Sequence, residues 1–212
     1  MWRRGLGILL ALVAIPASLA ARPTTPAMFP DDVIATDPNA IYSSWIGPVL
    51  ERMGERPLWG DGAVAEGEAI YRFSFVGNLC TVTTIRLWQH GEGGRLRTTT
   101  LDRCHRYSRR RVQAVRTISA ADWAGLAAMI EQAQVWPFRS STWDGDDDEI
   151  WVDCTFLTME RALPGDYRVA QSMISCIQPT RLMPVVNRVA ALAGIEQGAL
   201  GYHDSSSGEH GE

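Results

Sequence analysis

The hydrophobic pattern changes period several times along the chain, and each change marks an element. From Ser119 onward Trp123, Leu126, Ala127 and Ile130 fall at helical spacing and form one apolar stripe. Ser119 can cap that helix with Asp122 reaching back, Ile118 and Trp123 are spaced as a hydrophobic staple, and Pro137 ends it. Leu182, Val185, Val189 and Leu192 repeat the pattern up to Gly194, a residue suited to a left-handed cap. Ile41, Trp45, Val49 and Met53 recur every four positions from Asn39, although Gly47 and Pro48 are expected to break or kink this helix.

Elsewhere the pattern is β-like, around residues 69 to 77, 79 to 89, 95 to 104 and 112 to 118, with Gly91-Glu92-Gly93-Gly94 as the clearest turn. These four segments read as an antiparallel meander. Residues 150 to 162 and 167 to 177 read as a later hairpin around Leu163-Pro164-Gly165-Asp166. With no strand-helix-strand alternation, the order predicts an α+β fold: a four-strand meander plus the later hairpin, packed by two or three helices.

The chain ends follow different rules. Arg3 and Arg4 precede an apolar run from Leu6 to Leu19 that closes on Ser18-Leu19-Ala20, the pattern of a signal peptide over residues 1–20. The run contains Pro16 and is shorter than a bilayer span, so no transmembrane segment is expected after cleavage, and the protein should be periplasmic or secreted. Residues 21–38 carry Pro23, Pro26, Pro30 and Pro38 and read as a flexible lead. Residues 39–197 are then expected to form one domain, and 198–212, with Ser205-Ser206-Ser207, a frayed tail.

Charge and cysteine content narrow the chemistry. Removal of Arg3 and Arg4 leaves 18 basic residues, all arginine, against 24 acids, a net charge of −6 that disfavours nucleic acid as a partner. Four cysteines in an exported chain, none in a C-x-x-C pair, point to disulfides rather than zinc. Opposed residues of an antiparallel hairpin have a constant index sum. A three-residue turn at Gly91-Glu92-Gly93 sets that sum at 184 and pairs Cys80 with Cys104. A turn at Pro164-Gly165-Asp166 sets it at 330 and pairs Cys154 with Cys176.

Nothing in the sequence carries a catalytic motif. His90, His105, His203 and His210 lie at a turn, beside a disulfide cysteine or in the tail, and no catalytic residue is assigned. Asp144, Asp146 and Asp148 place carboxylates at alternate positions, a spacing that suits Ca2+, but the loop lacks the glycine and distal glutamate of an EF-hand. It reads more simply as a solvated acidic loop, and no other cofactor is implied. Eight arginines against one acid lie between Arg95 and Arg116, and Arg109, Arg110 and Arg111, expected in a turn, form a patch for an anionic partner.

The segments Gly54-Glu55-Arg56-Pro57-Leu58-Trp59, Tyr71-Arg72-Phe73, Asp122-Trp123 with Leu126, the acidic stretch up to Trp151, Tyr167 and Leu192-Ala193-Gly194-Ile195 resemble a family of uncharacterised bacterial α+β proteins with no assigned activity. The likeness covers about residues 50 to 195. This chain has Asp147-Asp148 where the family usually has Asp-Gly ahead of the strand tryptophan, and four cysteines the family pattern does not contain. The resemblance implies that Glu55, Trp59, Arg72 and Trp151 lie close together and bind a ligand, since arginine beside aromatic faces is a usual recognition pairing. The expected function is therefore a non-catalytic exported module binding an envelope protein or glycan. The alternatives are a hydrolase using carboxylates of the acidic loop, or an inhibitor or immunity-type protein blocking a partner enzyme.

Overall fold

A computed structural model describes residues 27–35, 45–60, 69–77, 81–102, 110–136, 154–176 and 178–202. Six antiparallel strands form one open sheet: β1 (Ile70–Val76), β2 (Thr81–His90), β3 (Gly93–Asp102), β4 (Arg110–Ile118), β5 (Phe156–Leu163) and β6 (Asp166–Met173), in the order β4-β3-β2-β1-β5-β6. The expected meander and hairpin are both present, and the hairpin joins the sheet against β1. The fold is α+β, with helices α1 (Asp31–Ala35), α2 (Gly47–Met53), α3 (Ala120–Ala133) and α4 (Met183–Ala193).

Both sheet faces are covered, which is why β1 is buried along its whole length instead of alternating. On the first face Tyr71, Phe73, Phe75, Ile85, Leu87, Leu157 and Met159 pack against α3 and α4. On the second, Val76, Val82 and Leu101 pack against Val49, Leu50 and Met53 of α2, with Met28 and Phe29 beside them. The segment expected as a flexible lead therefore contributes to the core from Met28 onward, because these two large apolar side chains have a surface to bury.

Local signals explain the helix ends. The Asp122 amide donates to Ser119 Oγ at 3.1 Å and Ser119 Oγ–H donates to Asp122 Oδ2 at 2.7 Å, so Ser119 caps α3, with Ile118 and Trp123 buried as its staple. Pro48 lies in the first turn of α2, and the winding changes beside it, from a π turn at Trp45 and Ile46 to the α-helix from Gly47, so the expected irregularity falls at Gly47 and Pro48. Residues 39–44 and Pro137 lie outside the described residues.

Three expectations are corrected. The hairpin pairs His90↔Gly93 and Leu163↔Asp166 make both turns two residues long, so both registers are one residue short of those expected. In the first turn φ is positive at Gly91 alone of the two central residues; in the second, Pro164 is followed by Gly165 at φ 73°, the arrangement of a type II turn. Arg110 and Arg111 open strand β4 and are not turn residues. The frayed tail does not begin at Gly198: Gln197–Leu200 forms a 3-10 turn, and Leu200 and Tyr202 are buried against the first face. Residues 203–212 lie outside the described residues.

The disulfide Cys154–Cys176 is present, with its Cα atoms 5.5 Å apart. Cys80 and Cys104 fall outside the described residues. No helix among the described residues is long and apolar enough to cross a membrane.

Candidate functional site: two polar rows on the second sheet face

Strand pairing lines up side chains across the second face in rows. One row is charged: Glu160 on β5, Arg72 on β1, Arg86 on β2 and Arg97 on β3 are successive cross-strand partners. The helical layer supplies its second acid. Gly54, at φ 71°, ends α2 in the left-handed conformation that suits glycine, and the amides of Gly54 and Glu55 donate back to Glu51 O and Leu50 O. This Schellman turn aims Glu55 at the sheet, at a position where an apolar residue usually closes the motif.

Arg72 is fully buried and its guanidinium is engaged on every side. Nε donates to Glu160 Oε2 at 2.6 Å, Nη2 to Glu160 Oε1 at 2.7 Å, and Nη1 to the Arg56 carbonyl at 2.7 Å. Burial alone would lower its pKa, but the charge and hydrogen bond of Glu160, with Glu55 and Tyr167, outweigh this and raise it above the ordinary arginine value. Glu160 Oε1 also accepts from Tyr167 Oη–H at 2.8 Å. Glu55 pairs with Arg86 at 3.4 Å, with Arg97 at 3.1 Å and more distantly with Arg72 at 3.7 Å. Two carboxylates thus link three guanidiniums.

The next row is neutral. Gln171 on β6, Thr158 on β5, Ser74 on β1, Thr84 on β2 and Thr99 on β3 are again successive partners, and none is exposed to solvent. Among the described residues, the hydroxyls of Ser74, Thr84, Thr99 and Thr158 and both amide atoms of Gln171 find no hydrogen-bond partner. A buried polar group left unpaired costs about 1–3 kcal/mol. Six of them together rival the roughly 5–15 kcal/mol by which a whole domain is stable. The packing of the described residues does not account for this row.

Of the residues expected to bind a ligand, the structure brings Glu55 and Arg72 together. Trp59 lies in the segment that follows, half-buried, with Nε1–H donating to the Ala27 carbonyl at 2.9 Å, while Leu58 beside it packs on Ile70 of the second face. Trp151, Arg109, Asp144, Asp146 and Asp148 lie outside the described residues. No cluster of three or more metal-ligating side chains occurs among the described residues.

The reading of the sequence missed Arg86, Arg97, Glu160 and the whole neutral row. A signal was present: Arg72-x-Ser74, Thr84-x-Arg86, Arg97-x-Thr99 and Thr158-x-Glu160 set a charge two residues from a hydroxyl in four strands, with the order reversing as antiparallel strands reverse. At its β3–β4 end this face meets water. Arg95, Val115 and Thr117 are exposed there, and Arg97 and Trp88 partly so. The chain matches no protein-family model and no curated protein.

Proposed function

We propose that the chain is an exported, non-catalytic binding module whose second sheet face engages a component of the cell envelope. The observation that carries this reading is the uncovered β3–β4 corner. Val115, 59% exposed, is the one large apolar side chain open to solvent among the described residues, and Arg95 and Arg97 lie beside it. Exposed arginine around an apolar and aromatic centre is the composition of a recognition surface.

Two further observations support this reading. Glu55 and Glu160, both buried on this face, are each bound to arginine side chains. The Cys154–Cys176 bridge suits an oxidising compartment, as does the signal-like start of the chain.

The test is co-sedimentation of the purified mature protein with isolated cell envelope. The parent is expected to sediment with it. Arg95→Glu and Val115→Asp, both at exposed positions, should melt like the parent and lose most of that association. Equal retention of the variants would remove this corner from the binding surface, and turnover of an envelope polymer by the parent would replace the reading with an enzyme.

A further inference from the structure

We infer, resting on the binding surface proposed at the β3–β4 corner, that the open edge of β4 takes an extended, acidic segment of another polypeptide as a seventh strand. Hydrogen-bond direction alternates along each strand and can be followed across the sheet. The Gln89 amide donates to the Ala69 carbonyl at 2.9 Å, on the β1 side, so Trp88 and His90 bond towards β3. Carried through the register, Arg95 and Arg97 turn to β2, Leu96 turns to β4, and Arg116 of β4 turns back to β3. The backbone N–H and C=O groups of Val115 and Thr117 therefore point away from the sheet. Among the described strands none lies beyond them.

The two edges of the sheet differ. At β6 the central residues Val169, Ala170 and Gln171 are buried, whereas at β4 Val115, Arg116 and Thr117 are all exposed. Natural edge strands are commonly guarded by a charged side chain. Arg116 does not guard this one: its guanidinium lies against Gly194, the C-cap of α4, where the negative end of the helix favours a cation. The edge thus offers two outward donor and acceptor pairs beside an apolar side chain that is 59% exposed.

Charge selects the occupant. Strand β4 contains three arginines and no acid, and Arg95, exposed beside Thr117, has no acid paired with it among the described residues. A second copy of this chain would set one arginine-only strand against another, and like charges across a strand pair are destabilising. A segment with an apolar residue opposite Val115 and a glutamate two positions away fits instead. In a strand about 4.8 Å beyond β4 both side chains fall on the second face, where the first covers Val115 and the second reaches across Thr117 towards Arg95. Strand addition of this kind draws affinity from main-chain hydrogen bonds and specificity from alternate side chains.

The probe is the symmetrical peptide acetyl-Thr-Glu-Thr-Val-Thr-Glu-Thr-amide, which presents the same pattern in either direction. It is titrated calorimetrically into the full mature chain, and amide hydrogen exchange along β4 is followed by NMR. Saturable binding is expected, with exchange at Val115 and Thr117 slowed roughly tenfold or more and that at Ala114 and Arg116, already bonded to β3, unchanged. Lysine in place of both glutamates should weaken binding roughly tenfold or more. N-methylation of the valine and both glutamates removes the N–H groups that face β4 and should abolish the protection. The inference is overturned by absence of saturable binding, by unchanged exchange at Val115 and Thr117, or by equal binding of either altered peptide. Protection present without peptide and rising with protein concentration would overturn it in favour of a second copy. Envelope association lost in Arg95→Glu and Val115→Asp, with both amides unprotected by peptide, would overturn strand addition and leave the corner as a binding surface. Protection by peptide in a protein that does not sediment with the envelope would support strand addition and overturn the envelope reading.

Discussion

Glu160 accepts two hydrogen bonds from Arg72 and one from Tyr167 in the sheet interior, so its charge is what makes a buried guanidinium tolerable there. Glu160→Gln keeps the shape and removes the charge, leaving Arg72 undercompensated. The expected loss is about 3–5 kcal/mol in urea denaturation, the usual consequence of breaking one side of a buried pair. Arg72→Met/Glu160→Leu removes both charges and should lose less than Glu160→Gln alone, because no ion is stranded and Glu55 keeps Arg86 and Arg97. A double variant weaker than the single one would show that the pair contributes net stability. At this scale the sequence was legible in part. Glu55 and Arg72 were named together, but Glu160 was not, since a lone glutamate inside the run Phe156–Leu163 looks like any solvent-facing strand residue until the opposite strand is known.

The β5–β6 hairpin shows what can and cannot be read at the scale of an element. Its strands and the residues of its turn were evident, yet the length of the turn was not: Pro164-Gly165 alone suffices, because glycine takes the positive φ that a third residue would otherwise accommodate. The same happened at Gly91-Glu92, so both index sums came out one too high. Burial of both faces made alternation uninformative, which removed the pattern that normally fixes register. The turn is also held by charge. Asp166 contacts Arg161 and accepts from Arg168 Nε at 3.2 Å. Burial opposes ionisation of this carboxyl, but the Arg168 hydrogen bond and the charges of Arg161 and Arg168 prevail and lower its pKa below the usual 3.8. A carboxyl whose pKa is depressed on folding stabilises above its unfolded value, and that contribution is lost as pH falls through the folded one. Asp166→Asn should therefore melt below the parent near neutral pH, and the two melting temperatures should converge as pH drops under 3.8. A gap that persists in acid would assign the loss to something other than charge.

Across the whole molecule, the far ends of β5 and β6 join the sheet to the C-terminal segment. Register alone would leave Cys154 opposite Ser175, yet the bridge runs to Cys176. The register runs one pair beyond Phe156↔Met173, with the Ile174 amide donating to the Thr155 carbonyl at 2.9 Å, and the two cysteines lie just past it. There the Thr155 amide donates to Ser175 Oγ at 2.7 Å and Thr155 Oγ1–H donates to the Gly201 carbonyl at 2.8 Å. The next residue, Tyr202, stacks on Phe75 and donates its hydroxyl to Asn187 Oδ1 at 3.1 Å. Bridge, Thr155 and Tyr202 thus form one continuous attachment, and the prediction concerns their coupling. Cys154→Ala/Cys176→Ala opens a loop of sequence separation 22 and should cost about 3 kcal/mol in the chain-entropy model. Tyr202→Ala should cost about 3–5 kcal/mol for the lost ring, whereas Tyr202→Phe should cost only about 1 kcal/mol for the lost hydrogen bond. If the attachment acts as a unit, loss of the bridge already loosens the segment that holds Tyr202. The triple variant should then lose less than the separate losses added together, by about 0.5 kcal/mol or more in a double-mutant cycle. Strict additivity would make bridge and tyrosine independent, and unchanged hydrogen exchange at Leu200 and Tyr202 in the bridge-free variant would say the same without reference to energy.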